Sequence, residues 1–269
     1  MSDSPVNDKA IKPNKTALIT GASRGIGKAI ALKMAKVGYD LLILSRNIDA
    51  LNKVRNEVTG LNRECKVLTC DISDSLSLVN CLDKVVNDHY KIDLLVNNAG
   101  IYVTEQILDF NLAKAQNVLN TNLLASIITV SKVSPIMKKN GFGRIINISS
   151  ISGVNGEVYG SSYAASKAGL IGFTKSAALE LAKYNITVNC ISPGWVNNEM
   201  AYSQLNDPVW CGLNNIDVSE SLSIAKMSIP TQNLVEEDEV AHLVEFLASD
   251  QAKSITGQNI NICGGLSIV

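Results

Sequence analysis

The stretch "TALITGASRGIGKAIA" (residues 16–31) decides the fold. A short aliphatic run of strand length meets three glycines, Gly21, Gly25 and Gly27, and then an apolar pattern at helical spacing. Glycine lets a backbone approach a pyrophosphate closely, and the start of a helix offers free N–H groups and a positive dipole. The spacing is G-x-x-x-G-x-G, unlike the common G-x-G-x-x-G fingerprint. A tight strand–helix turn without a ligand is the competing reading. Its position between a first strand and a first helix favours the ligand.

Working outward, the same alternation continues. "DLLILS" (40–45), "KVLTCD" (66–71), "IDLLVNNAG" (92–100), "GRIINISS" (143–150), "ITVNCISPG" (186–194) and "NINICGG" (259–265) are further strands, separated by amphipathic stretches. Runs apolar at nearly every position suit strands buried on both faces, hence parallel strands covered by helices. The pattern predicts an α/β fold: a single doubly wound Rossmann-type domain over residues 15–269, with a mostly parallel sheet of about seven strands and helices on both faces. "MSDSPVNDKAIKPN" (1–14) is polar, reads as a mobile tail and has no secretory signal pattern.

The chain of 269 residues is 46% hydrophobic and 18% charged with net charge −1, which fits a soluble globular protein without a broad basic footprint for nucleic acid. No apolar run reaches membrane-spanning length, so no membrane partner and a cytoplasmic location are expected. Six cysteines without a C-x-x-C pair read as buried and reduced. His89 and His242 are too few and too distant for a metal site.

Two details bear on a ligand. The second strand ends "LILSRN", giving Ser45 and Arg46 where an acid would bind a ribose 2′-hydroxyl. Arg24 adds a second cation. Guanidinium groups grip a 2′-phosphate, so NADPH is expected over NADH; ordinary solvated surface charges are the alternative. In "GSSYAASKAG" (160–169), Tyr163 and Lys167 stand one helical turn apart among small residues. Either they are a surface pair or a proton donor and its tuning cation.

Taken with "CDISD" (70–74), "NNAG" (97–100), Asn122 in "LNTNLLAS", "NISS" (147–150) and "PGWV" (193–196), these segments resemble the short-chain dehydrogenase/reductase family, in its order and from residue 15 onward. The resemblance implies that Gly21, Ser23, Arg24, Gly25, Ile26, Gly27 and Arg46 bind NADPH/NADP+, and that Asp71 and Ile72 flank its adenine. It further implies that Asn98, Ala99 and Gly100 line the ribose and nicotinamide side, with Pro193, Gly194 and Val196 at the carboxamide. Ser150, Tyr163, Lys167 and Asn122 take the catalytic positions. Ser150 is preferred to Ser149 because it lies thirteen residues before Tyr163. Lys167 is expected to lower the Tyr163 phenol and to bind the nicotinamide ribose. Asn122 either holds a water for Lys167 or ties two helices together.

The long segment after Pro193, a lid at about 195–230, offers Trp195, Met200, Tyr202, Leu205, Trp210 and Leu213 as an apolar wall over substrate, or as the lid's own core. Tyr159 reads as a substrate-loop residue. The lid and the C-terminal "SITGQNINICGGLSIV" resemble β-ketoacyl carrier-protein reductases and aromatic polyketide ketoreductases. "IYVTEQ" after "NNAG" lacks the Pro-Gly-Gly of several of the latter. The expected substrate is therefore a β-keto thioester, with a small hydroxy-acid (3-hydroxybutyrate-like) dehydrogenase and an NADP-binding sensor or scaffold as alternatives. An acidic acyl carrier protein would dock on Lys138, Lys139 and Arg144, unless these are a plain helix end. Gly169, Gly172, Ala177 and Ala178 suit close packing in the homotetramer or homodimer that the resemblance implies, or packing on the sheet.

Overall fold

All seven strand predictions are met in a computed structural model, which describes residues 15–88 and 90–268. The expected tail and His89 lie outside the described residues. The strands are β1 (Lys15–Thr20), β2 (Tyr39–Ser45), β3 (Cys65–Thr69), β4 (Leu94–Asn97), β5 (Gly143–Ile148), β6 (Ile186–Pro193) and β7 (Asn259–Ile262). They form one sheet in the order β3-β2-β1-β4-β5-β6-β7, and every pairing is parallel.

Side chains alternate between the two faces along each strand. Ala17 and Ile19 of β1 join one core with α1 (Gly25–Lys36), α2 (Ile48–Thr59) and Val240 and Val244 near the C-terminus. Leu18 between them joins the opposite core with α3 (Ser75–Asn87) and Val130 and Val133. That double burial is why the central strands read as near-continuous apolar runs, while β3 and β7 at the sheet edges are only partly buried.

Order of strands reverses between β1 and β4, and crevices at such switch points open at the carboxyl ends of the strands. The remaining helices are α4 (Leu112–Leu119), α5 (Ala125–Asn140), α6 (Ser152–Asn155), α7 (Ser161–Leu181), then the lid helices α8 (Glu199–Leu205), α9 (Pro208–Leu213) and α10 (Ser221–Ser228), and finally α11 (Glu237–Ala248). A π-helical turn, Asn120–Leu124, joins α4 to α5. Such turns often mark functional positions because the extra residue re-aims a side chain.

The docking expectation fails here. Arg144 is 1% exposed, with its guanidinium 4.3 Å from the Phe142 ring and donating to the Gly143 carbonyl at 2.8 Å. It opens β5, whereas Ser150 follows that strand's far end, about 20 Å away at the usual rise per residue. Lys138 and Lys139 end α5 on Arg144's side, away from the crevice. The small face of α7 is divided. Ala177 and Ala178 pack on the sheet and Gly169 meets Leu123, while Gly172 faces open space. Among the described residues all six cysteines are free, Cys65 and Cys81 being only half-buried. No described helix is long and apolar enough to cross a membrane.

Candidate active site

A cleft of about 840 Å³ runs over the switch point. At one end lie Arg46, Asp71 and Ile72; Gly21, Ser23, Arg24, Gly25 and Ile26 follow; Asn98, Ala99 and Gly100 form the middle; Ser150, Tyr163, Lys167, Pro193, Gly194 and Val196 complete the far side. The motifs gathered by sequence order thus converge on one surface.

The glycines do different jobs. Gly21 and Gly25 have φ of 67° and 61°, in the left-handed region where a side chain is strained. Gly27 does not line the cleft. A Cβ there would overlap the Gly21 carbonyl and the Asn98 amide, so it permits close packing of the loop on the sheet. Helix α1 starts at Gly25 without a side-chain cap and without an acid in its first turn, leaving N–H groups for an anion. Arg24 pairs with Glu199 at 2.6 Å and Arg46 lies 3.8 Å from Asp71, all exposed. This donor set, with two guanidiniums and a helix start over a long cleft, fits a nicotinamide dinucleotide. Glu237 brings one carboxylate near Gly25; burial, with Asp238 and Glu236 beside it, raises its pKa.

Asparagines hold the frame. Asn98 donates through Nδ2 to the Thr20 carbonyl at 3.0 Å, clamping the glycine loop to β4. Asn97 Nδ2 donates to Asn147 Oδ1 at 2.9 Å, and Asn147 Nδ2 to Thr174 Oγ1 at 2.8 Å, so β4, β5 and α7 are riveted inside the core. Asn122 is 1% exposed and does not line the cleft. Its side chain accepts from the Ile101 N–H at 2.9 Å and donates to the Ile101 carbonyl and to Ser166 Oγ, at 3.0 and 3.1 Å. Of its two expected roles, the geometry displays the tie.

Ser150 and Ser149 part ways after β5. Ser149 Oγ turns inward and donates to the Lys167 carbonyl at 3.0 Å. Ser150 lines the cleft and donates through Oγ to Ser152 Oγ at 3.1 Å, close enough to the Tyr163 phenol to lower its pKa. Lys167 is buried, donates through Nζ to the Ile148 carbonyl at 2.8 Å and lies 5.7 Å from the centre of the Tyr163 ring. Burial pulls Lys167 down to about 8 and pushes Tyr163 up to about 12, with Ser150 acting against the latter and Glu157 adding to it. The sequence-based expectation that Lys167 lowers the phenol is therefore outweighed in the protein itself, because both groups are desolvated and the charged form of each is disfavoured.

The substrate end holds Trp195, Met200 and Trp210 as expected. Tyr159 and Tyr202 do not line it. Tyr159 sits at φ 60° in a turn whose carbonyl accepts from the Glu105 N–H at 2.8 Å, and Tyr202 Oη donates to Asn197 at 2.7 Å. Leu205 and Trp210 cluster with Cys211 and Ala225, so the lid has a core of its own while Trp210 also reaches the cleft. Sequence reading missed Tyr102 and Glu157. The Tyr102 ring meets that of Tyr163 edge-on, centroids 5.2 Å apart, and Glu157 accepts from Gln204 Nε2 at 2.8 Å. Neither belongs to a recurrent pattern; only the folded chain brings them beside Tyr163.

Comparison with known proteins agrees with this geometry. The short chain dehydrogenase profile matches residues 15–208. A 3-oxoacyl-(acyl-carrier-protein) reductase of Staphylococcus epidermidis is 36% identical over 254 residues, covering 94% of this chain and 99% of the relative. A D-beta-hydroxybutyrate dehydrogenase of Rhizobium meliloti is 35% identical, covering 93% and 98%. Among solved structures, NAD+-bound xylitol dehydrogenase superposes with TM-score 0.89 at 33% identity, covering 93% of this chain and 98% of the other. A single-substitution variant of actinorhodin polyketide ketoreductase with NADPH gives 0.88, also at 33%, covering 94% and 97%. With a cleft suited to a nicotinamide cofactor and a serine, tyrosine and lysine converging on it, this chain belongs to the short-chain dehydrogenase/reductase family of oxidoreductases.

Proposed function

We propose that the chain is an NADPH-dependent ketoreductase that converts the β-keto group of an acyl or polyketide thioester, carried on an acyl carrier protein, to the β-hydroxy product. The observation that carries this reading is the placement of Ser150, Tyr163 and Lys167 at one end of a cleft whose other end holds Arg46. The similarity to a 3-oxoacyl-(acyl-carrier-protein) reductase and to a polyketide ketoreductase supports the substrate class. A second reading, a small hydroxy-acid dehydrogenase, is supported by the hydroxybutyrate dehydrogenase relative.

A bound nicotinamide supplies the hydride that reduces the carbonyl carbon. Gly21, Ser23, Gly25 and Ile26 hold its pyrophosphate, Arg24 and Arg46 its 2′-phosphate, Asp71 and Ile72 its adenine. Ala99, Gly100, Pro193, Gly194 and Val196 orient the nicotinamide side, with Asn98 bracing the loop from behind. Tyr163 gives its phenolic proton to the carbonyl oxygen, and Ser150 donates a hydrogen bond to that oxygen as charge develops. The Lys167 ammonium, already held near 8 by burial, stabilises the phenolate left behind and returns a proton. Asn122 acts as a positioning residue through Ser166, whose hydroxyl donates to the Tyr163 carbonyl at 2.7 Å.

Exposed Leu112 and Leu119 on α4, Leu124 in the π-helical turn and Leu179 on α7 support assembly into a homotetramer or homodimer. The functional test is NADPH consumption with an acetoacetyl thioester by wild type and by Tyr163→Phe. Turnover by the wild type and its loss in the variant, with NADPH binding retained, is the expected result. A variant keeping most of its activity removes Tyr163 from the mechanism.

A further inference from the structure

Beyond the reacting carbonyl, the substrate end of the cleft carries two polar groups that the chemistry above does not use. Tyr102 Oη and the Trp210 indole Nε1 are both buried and complete no hydrogen bond, although Trp210 is 8% exposed overall and both residues line the cleft. The Tyr102 hydroxyl stands among Glu157, Thr104 and Trp210 without meeting bonding geometry to any. Two buried donors left unpaired carry a desolvation cost that a ligand acceptor would recover.

Carboxylates outnumber accessible cations at this end. Glu157 lines the cleft beside Tyr102. A Cβ on Gly160 would lie 3.2 Å from both the Glu157 carboxyl carbon and the Tyr102 ring, so the two pack over the same glycine at the start of α7. Glu199 lines it too, and Asp207 borders the adjoining pocket. Arg24, Arg46 and Lys167 are the cations among the lining residues. Arg24 is paired with Glu199, Arg46 is at the adenine end, and Lys167 is turned to the Ile148 carbonyl. A carboxylate entering here meets Glu157, and the one lining cation at this end without an acidic partner, Lys167, is buried and hydrogen-bonded to the Ile148 carbonyl. A neutral acceptor meets no such repulsion, and a small turn of either side chain brings Tyr102 Oη or Trp210 Nε1, both closed to solvent as they stand, onto it.

Resting on the ketoreductase reading, we propose that Tyr102 and Trp210 form a second anchoring point that donates to the thioester carbonyl of a neutral β-keto substrate, while Glu157 rejects the free β-keto acid. Two-point holding fixes which carbonyl reaches Tyr163, and the acidic wall makes the thioester obligatory. The corresponding reading as a hydroxy-acid dehydrogenase loses its binding partner at this place.

The test is calorimetric binding of the acetoacetyl N-acetylcysteamine thioester and of acetoacetate to the enzyme–NADP+ complex, with turnover measured in parallel with NADPH. Wild type is expected to bind the thioester at least ~10-fold more tightly than the acid, a modest selectivity for one unpaired charge. Glu157→Gln should narrow that ratio about tenfold through tighter acetoacetate binding, and Tyr102→Phe and Trp210→Phe should each weaken the thioester severalfold without weakening NADP+. An unchanged ratio in Glu157→Gln, or acetoacetate bound as tightly as thioester by wild type, overturns the inference. Thioester bound with the expected ratio but never reduced overturns the β-ketoacyl reading and leaves the anchoring point standing.

Discussion

The carboxylate of Glu105 accepts the backbone N–H of Ser162 at 2.6 Å across 57 positions of sequence. The same oxygen accepts from Ser161 Oγ at 3.0 Å. Gly160, which precedes α7, has no side chain to cap the helix, so a distant acid supplies the cap for the helix that carries Tyr163 and Lys167.

Glu105→Ala is accordingly expected to lose about 1–2 kcal/mol of stability near neutral pH, and Glu105→Gln less. Burial alone would raise the Glu105 carboxyl, but hydrogen bonds from Ser162 and Ser161 prevail and its pKa is lowered. A lowered folded-state value means the contribution is present above the ordinary carboxylate range and is lost as pH falls through the folded value. Urea melts of wild type and Glu105→Gln should therefore differ at neutral pH and converge in acid.

Ser149 and Ser150 give a paired control. Ser150→Ala should lower kcat by ~10²–10³-fold by removing a donor to the developing oxyanion. Ser149→Ala, whose hydroxyl serves the Lys167 carbonyl, should instead lower the melting temperature with a small effect on kcat. Thermal melts and steady-state rates on both variants decide it; equal loss of kcat would undo the assignment.

Lys167 leaves a signature in stability as well as in rate. Its folded value of about 8 lies below the lysine value of 10.5, so between these the unfolded chain holds more protons and stability rises with pH. Below about 8 the buried ammonium is a burden on the fold. Lys167→Met should abolish turnover, and the stability difference, wild type minus variant, should climb from about pH 8 to the ordinary lysine range. A flat difference would contradict the burial of this ammonium.

The proposed preference for NADPH rests on the exposed guanidiniums. Arg46→Ala should raise KM for NADPH about tenfold and leave KM for NADH nearly unchanged, since only the former has a 2′-phosphate to lose. Arg24→Ala should have the smaller effect because its partner Glu199 already occupies it at 2.6 Å. Initial rates with both cofactors check this; parallel changes would place the arginines elsewhere.

Much of the frame was legible because its cause is local. Strands β1, β2 and β4 announce themselves because burial on both faces favours apolar residues at nearly every step, whereas the edge strands β3 and β7 are only partly buried. Ser150, Tyr163 and Lys167 were readable because a strand end and one helical turn fix them. Arg144 misled for the complementary reason: beside Lys138 and Lys139 it reads as a basic patch, yet it opens a strand and its aliphatic stem and guanidinium are folded against Phe142. Glu105, Tyr102 and Glu157 acquire meaning only when separate loops meet above α7, and no spacing rule encodes that meeting.

The lid's private cluster of Leu205, Trp210, Cys211 and Ala225 has an evolutionary consequence. Tyr102 packs on it, and the lid meets the frame through Arg24 to Glu199, Asn197 to Glu236, Gln204 to Glu157, Thr104 to Asp207 and the Val196–Val235 bridge. It shares no residue with the asparagine rivets that hold β4, β5 and α7. Mutations in the lid that leave Tyr102 in place are expected to change which ketones are admitted and to spare those rivets, making selectivity an exchangeable cassette on a fixed engine.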